Sequence, residues 1–286
     1  MKFKEFINKN NEPCISIDGI KHFLPSDIFE CGQAFRFNQI GEEYYEGVAF
    51  GRYIRVRKNK ENDAVTIENT TPDDFRNVWF GFFDLGTDYG EIIANLPQDP
   101  ALSEASANCG GIRILRQEPF ETLISYIISA NNNIPRIKKI VEALCFNFGD
   151  KIEHNNGAIY YSFPTAGTLA ALSISELEII KAGFRHKYIL DAAKKIDGGI
   201  ISLGGVYTMN VADGAKELMR IGGVGPKVAS CALLFAYHKL DAFPIDVWIC
   251  KILNKYYPDI TSPTEYFGAY AGVANSYLFY NERKKG

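Results

Sequence analysis

Between Arg220 and Ser230 the chain reads RIGGVGPKVAS, a stretch that narrows the available folds sharply. Val211, Ala215, Leu218 and Met219 form an apolar stripe at helical spacing before it; Val228, Cys231, Ala232 and Phe235 form another after it. The glycines between them allow backbone angles closed to other residues, and Pro226 suits the first position of a helix. The pattern predicts a helix-hairpin-helix over residues 209–237. Its turn and the free amides opening the second helix, from Gly223, Val224 and Gly225 to Lys227 and Val228, would face an anion such as phosphate. Such a turn grips one nucleic-acid strand by its backbone without reading bases. The alternative is a plain glycine-rich connector with an exposed lysine.

Lys227 is out of place as a helix residue. A cation near a helix N-terminus loses about 0.3–1 kcal/mol, less than about one pKa unit. The dipole alone cannot make an amine neutral from an ordinary value of about 10.4, so a dehydrating pocket would have to supply the rest. A neutral lysine there would be a nucleophile able to form a Schiff base. Asp246 follows in DAFPIDVWICKILNKYY, at the N-cap of a predicted helix over 247–257. It either caps and does nothing more, or also faces a developing positive charge, as chemistry at a deoxyribose C1′ would require.

The formal net charge of −3 argues mildly against a nucleic-acid partner, but its distribution is uneven. Residues 1–100 carry −6 and residues 101–286 carry +3, so a polyanion should meet the second part. The clusters RIKK at 136–139 and RHK at 185–187 could touch phosphates, or could be solvated helix faces. Six scattered cysteines with no CxxC pair and no metal-ligand spacing suggest reduced thiols. The polar opening MKFKEFINKN and the lack of long apolar runs suggest neither signal peptide nor membrane span. A cytoplasmic, nucleoid-associated and prokaryotic monomer is the expectation.

YYEGVAFGRYIRVRKN and KENDAVTIENT alternate apolar and polar residues, as a sheet meander should. Further on the period becomes helical, in PFETLISYIISA and, after the break NNN, in IPRIKKIVEALCFNFG. Helices are expected over 175–182, 185–196, 209–220, 226–237, 246–257 and 264–280, with loops at Asn155-Asn156-Gly157 and at 197–205. The fold class is therefore α+β. An N-terminal antiparallel twisted β-sheet domain (1–100) precedes an all-α helical body (101–286). That body carries the helix-hairpin-helix and, at 238–246, a loop that holds Pro244 and ends in Asp246.

Residues 221–246, IGGVGPKVASCALLFAYHKLDAFPID, resemble the hairpin, loop and aspartate of the helix-hairpin-helix DNA glycosylase superfamily. CGQAFRF (31–37), GIRILRQEPFETLISYIISANNNIPRI (111–137), AGFRHKY (182–188) and AGVANSYLF (271–279) are similar to 8-oxoguanine DNA glycosylases in particular. The resemblance implies a bifunctional glycosylase/lyase acting on double-stranded DNA that holds 8-oxoguanine opposite cytosine. Lys227 would attack C1′, Asp246 would stabilise the oxocarbenium-like charge, and the Schiff base would permit β-elimination. The base must first leave the stack. Gly32 matches the glycine whose carbonyl accepts the N7–H of 8-oxoguanine, which guanine lacks. Cys231 and Phe279 match the pair that sandwiches the extruded base, and Asn275 stands where the family has a glutamine on its Watson–Crick edge.

By the same resemblance Asn131 fills the vacated stack, Phe184 is a wedge beside it, and Arg136 and Arg185 read the orphaned cytosine. Trp248 departs from the histidine of better-known members, which leaves the phosphate role at that position open. No cofactor and no catalytic metal are implied, with a structural monovalent or divalent cation at the hairpin left open. The iron–sulfur relatives are excluded, since only Cys231 and Cys250 lie past residue 145. A glycosylase for another damaged purine and a non-catalytic DNA-binding module are the competing readings.

Overall fold

The computed structural model describes residues 3–59 and 63–285. The alternating N-terminal segments form strands β1 (Phe3–Ile7), β2 (Pro13–Ile17), β3 (Phe37–Gly41), β4 (Tyr44–Ala49), β5 (Arg52–Lys58) and β6 (Val65–Glu68). They make one antiparallel sheet in the order β1-β2-β6-β5-β4-β3. Register aligns Tyr45, Val56, Ile67 and Ile15 in one row across four strands. All four are buried, and Phe29, Phe37, Trp79, Phe82 and Phe83 cover that face. A single apolar face is what period-two alternation requires. Helix α1 (Pro25–Glu30) leads from β2 towards the CGQAF segment.

Packing divides the chain earlier than composition suggests. The sheet core runs to Leu85 and takes back Leu115, whereas Tyr89, Ile92, Leu102 and Ala105 pack with the helical body. These residues lie in helices α2 (Tyr89–Asn95) and α3 (Pro100–Cys109), and α3 lies along the C-terminal helix. The packing boundary thus falls between 85 and 89, not at 100, because the apolar faces of α2 and α3 find their partners downstream. Gln33 joins the two cores: its amide donates to the carbonyls of Ile28 and Arg113, and its oxygen accepts from the Leu115 amide, each at 2.9 Å.

The body continues with α4 (Pro119–Ser129), α5 (Ile134–Phe148), α6 (His186–Asp197), α7 (Val211–Leu218), α8 (Pro226–Phe235), α9 (Val247–Tyr256) and α10 (Ala271–Lys285). Three expectations are corrected. The helix foreseen over 264–280 is broken at Gly268 into Pro263–Phe267 and α10. The body is not all-α: the loop expected at Asn155-Asn156-Gly157 is present and closes a hairpin of β7 (Lys151–Glu153) and β8 (Ile159–Tyr161), which stacks Tyr160 on Tyr53 of the sheet at 3.8 Å. The helix foreseen over 175–182 is a single turn, Ile174–Leu177, continued as a tighter one to Ile180. The six cysteines are free, and no described helix is long and apolar enough to cross a membrane.

Candidate active site

The hairpin forms as the glycine and proline spacing requires. Helix α7 ends at Leu218, and α8 begins at Pro226 after Gly225, with no side-chain cap on its first turn. Its leading amides are therefore left for a ligand or solvent. Gly223 has a φ of +79°, and a Cβ there would come within 2.4 Å of the Tyr188 ring, so only glycine fits. The turn is pinned to α6 where the Gly222 amide donates to Asp191 at 2.6 Å, and Lys195 donates to both Asp191 and the Arg220 carbonyl. Val224 behaves otherwise than foreseen: its amide is used inside the turn, on the Ile221 carbonyl, and its side chain is buried.

Lys227 leaves the first turn of α8 and enters a slot also lined by Gly32, Tyr126, Cys231, Asp246, Asn275 and Phe279. The slot holds about 60 Å³ and opens on a groove of about 750 Å³ that carries Asn131, Gly223, Gly225 and Trp248. The ammonium stands 3.3 Å from the Ser129 hydroxyl and 5.0 Å from the centroid of the Tyr126 ring. Burial pushes the Cys231 thiol up to about 11 against the opposing pull of Lys227, and burial pushes Cys31 up to about 12. Both stay protonated near neutral pH, so neither thiol competes as nucleophile.

Asp246 caps α9, its Oδ1 accepting from the amides of Trp248 and Ile249 at 2.9 Å each. The cap uses Oδ1 alone, and Asp246 also lines the slot with Lys227. The loop ahead of it is fastened by Asn275, whose Nδ2 donates to the Pro244 carbonyl at 2.9 Å. The Asn275 amide group thus serves the loop, and the residue also lines the slot beside Lys227. Gly32 takes a φ of +88°, and its carbonyl accepts a 3.0 Å hydrogen bond from the Tyr126 hydroxyl.

Around the groove, each asparagine of NNN has its own task. Asn131 sits at the exposed tip with a φ of +50°, Asn132 donates to the Ile128 carbonyl, and Asn133 caps α5 through the Arg136 amide. Phe184 is 55% exposed. The two arginines part company. Arg136 is exposed, whereas Arg185 is 3% exposed and donates to the carbonyls of Ala130, Asn131 and Ala182 while lying over Phe184. In the free protein Arg185 holds the Asn131 turn in place. Val247 (74%), Ile245 (46%) and Trp248 (40%) make an exposed apolar rim beside Asp246.

Tyr126 and Ser129 were not singled out in the sequence. Their signal was spacing: three apart on α4, they share one helix side.

Residues 18–123 match the family model described as 8-oxoguanine DNA glycosylase, N-terminal domain. Residues 124–266 match that of the HhH-GPD superfamily base excision DNA repair protein. The chain belongs to the 8-oxoguanine DNA glycosylase family. An N-glycosylase/DNA lyase of Saccharomyces cerevisiae is 31% identical over 256 residues, spanning 81% of this chain and 68% of the relative. A Clostridium acetobutylicum 8-oxoguanine glycosylase/lyase, solved with double-stranded DNA containing cytosine opposite 8-oxoguanine, superposes with a TM-score of 0.92. It is 38% identical and covers 100% of this chain and 98% of that one. A further structure, MBOgg1 in complex with a low-affinity DNA ligand, is 40% identical with a TM-score of 0.93 and full coverage of both chains.

Proposed function

We propose that this chain excises 8-oxoguanine opposite cytosine from double-stranded DNA and then cuts the strand as an abasic-site lyase, acting as a monomer. The observation that carries the reading is convergence. Gly32, Lys227, Asp246 and Phe279, from four distant segments, line one slot that opens on an exposed groove.

The hairpin amides hold the backbone of the damaged strand while the base turns out into the slot. Cys231 and Phe279 flank the base, and the Gly32 carbonyl accepts its N7–H. Filling the slot expels the water around the amine and leaves it facing the sugar. The Nζ lone pair then bonds C1′ as the glycosidic bond breaks, its electron pair leaving with the base. Asp246 stabilises the positive charge on the sugar in that transition state. Opening of the sugar ring gives the Schiff base, which acidifies the C2′ hydrogen; loss of that proton expels the 3′ phosphate.

In this reading the amine supplies the nucleophile and no cofactor enters. Exposed Arg136 reads the orphaned cytosine and Arg185 supports the turn beneath it. The test is direct assay of the purified chain on duplexes holding 8-oxoguanine opposite each base. Free 8-oxoguanine and a nicked strand, fastest opposite cytosine, are expected; release of an alkylated purine but not of 8-oxoguanine would overturn the reading.

A further inference from the structure

Tyr126 touches both ends of the slot. Its hydroxyl donates to the Gly32 carbonyl at 3.0 Å, and its ring lies 5.0 Å from the Lys227 ammonium. The ring is itself fixed, stacked on Phe235 at 5.7 Å and edge-on to Phe35 at 5.6 Å, so its hydroxyl has a set direction. The side chain is 3% exposed, and burial keeps the phenol protonated well beyond the usual range.

Gly32, by contrast, has nothing of its own to orient its peptide. At a φ of +88° and without a side chain, its carbonyl direction depends on hydrogen bonds. Gln33 anchors the residue that follows. The Tyr126 hydroxyl anchors the carbonyl.

We infer that Tyr126 is a positioning residue for lesion recognition: it fixes the Gly32 carbonyl towards the extruded base and keeps its own proton away from that base. The inference rests on the proposed reading of Gly32 as the acceptor of N7–H. A carbonyl oxygen has two lone pairs; Tyr126 takes one and leaves the other for the lesion. A hydroxyl free to turn could donate to the N7 lone pair of undamaged guanine and soften its rejection. With the proton held on Gly32, guanine meets lone pairs on both oxygens, whereas 8-oxoguanine finds an acceptor. One hydroxyl thus favours the damaged base and disfavours the normal one.

Tyr126→Phe removes the hydroxyl and keeps the ring. Single-turnover base release is measured on duplexes with 8-oxoguanine or guanine opposite cytosine, together with strand cleavage at a preformed abasic site, which presents no base. The ratio of release from 8-oxoguanine to release from guanine is expected to fall about tenfold. Release of 8-oxoguanine should fall by more than abasic-site cleavage does. Tyr126→Leu, which also removes the face beneath Lys227, should slow abasic-site cleavage further than Tyr126→Phe. An unchanged ratio in Tyr126→Phe, or equal losses in both steps, overturns the inference and leaves Tyr126 a packing residue. If the unaltered chain does not discriminate between the two bases, the reading of Gly32 fails first and this inference falls with it.

Discussion

The Lys227 ammonium lies 3.3 Å from the hydroxyl of Ser129, which in turn donates to the Tyr126 carbonyl at 2.7 Å. The amine is therefore held from α4, across the slot from its own helix. Ser129→Ala removes that hold without disturbing the fold. The rate of Schiff-base formation on lesion DNA should fall about three- to tenfold. An unchanged time course would show that Ser129 does not position the amine.

Asp246 is a cap and a charge at once, and the two roles can be separated. Asn caps as well as Asp does, so Asp246→Asn should keep the thermal midpoint and lesion binding while slowing base release by about a hundredfold or more. Asp246→Ala should also lose about 1 kcal/mol of stability with the cap. Equal single-turnover rates for Asp246→Asn and the unaltered chain would reduce Asp246 to its structural role.

The two arginines should respond oppositely. Arg136 is exposed, so Arg136→Ala should narrow the preference for cytosine and change stability by less than about 0.5 kcal/mol. Arg185→Ala strips donors from three carbonyls beneath the Asn131 turn and should cost about 2 kcal/mol or more. Chemical denaturation and excision opposite all four bases distinguish the two. Loss of cytosine preference without loss of stability in Arg185→Ala would return it to the role of direct reader.

A pH effect resides away from the slot. Burial raises Glu121 from 4.5 to about 7, although Arg36 Nη1 lies 3.7 Å away and pulls the other way. From pH 4.5 to about 7 the folded chain keeps a proton there that the unfolded chain has lost, so this group's contribution to stability declines as pH rises through that window. Glu121 retains 15% side-chain exposure, which tempers the size of the effect. Glu121→Gln should match the unaltered chain near pH 4.5 and exceed it at pH 8 by up to about 2 kcal/mol in urea unfolding. A less stable variant at pH 8 would mean that the ion pair with Arg36 outweighs its burial.

Much of this molecule is legible in its sequence because local rules and global packing agree. Alternation gave the sheet, and the glycines with Pro226 gave the hairpin and the direction in which Lys227 leaves it. What stayed hidden depends on partners far along the chain. Nothing near Arg185 says that it will be buried under the carbonyls of Ala130 and Asn131, and nothing near Gly32 announces the hydroxyl of Tyr126. The packing boundary moved for a like reason, since the apolar faces of α2 and α3 have no local sign of which core they will join.

The central claim is that the Lys227 amine bonds to the sugar. Borohydride added while the chain acts on a duplex holding 8-oxoguanine opposite cytosine should reduce the Schiff base and yield a covalent protein–DNA adduct. Peptide mapping should place the adduct at Lys227, and Lys227→Gln should bind the same duplex without forming it. No adduct from the unaltered chain under binding conditions, or an equal yield from Lys227→Gln, would contradict the account.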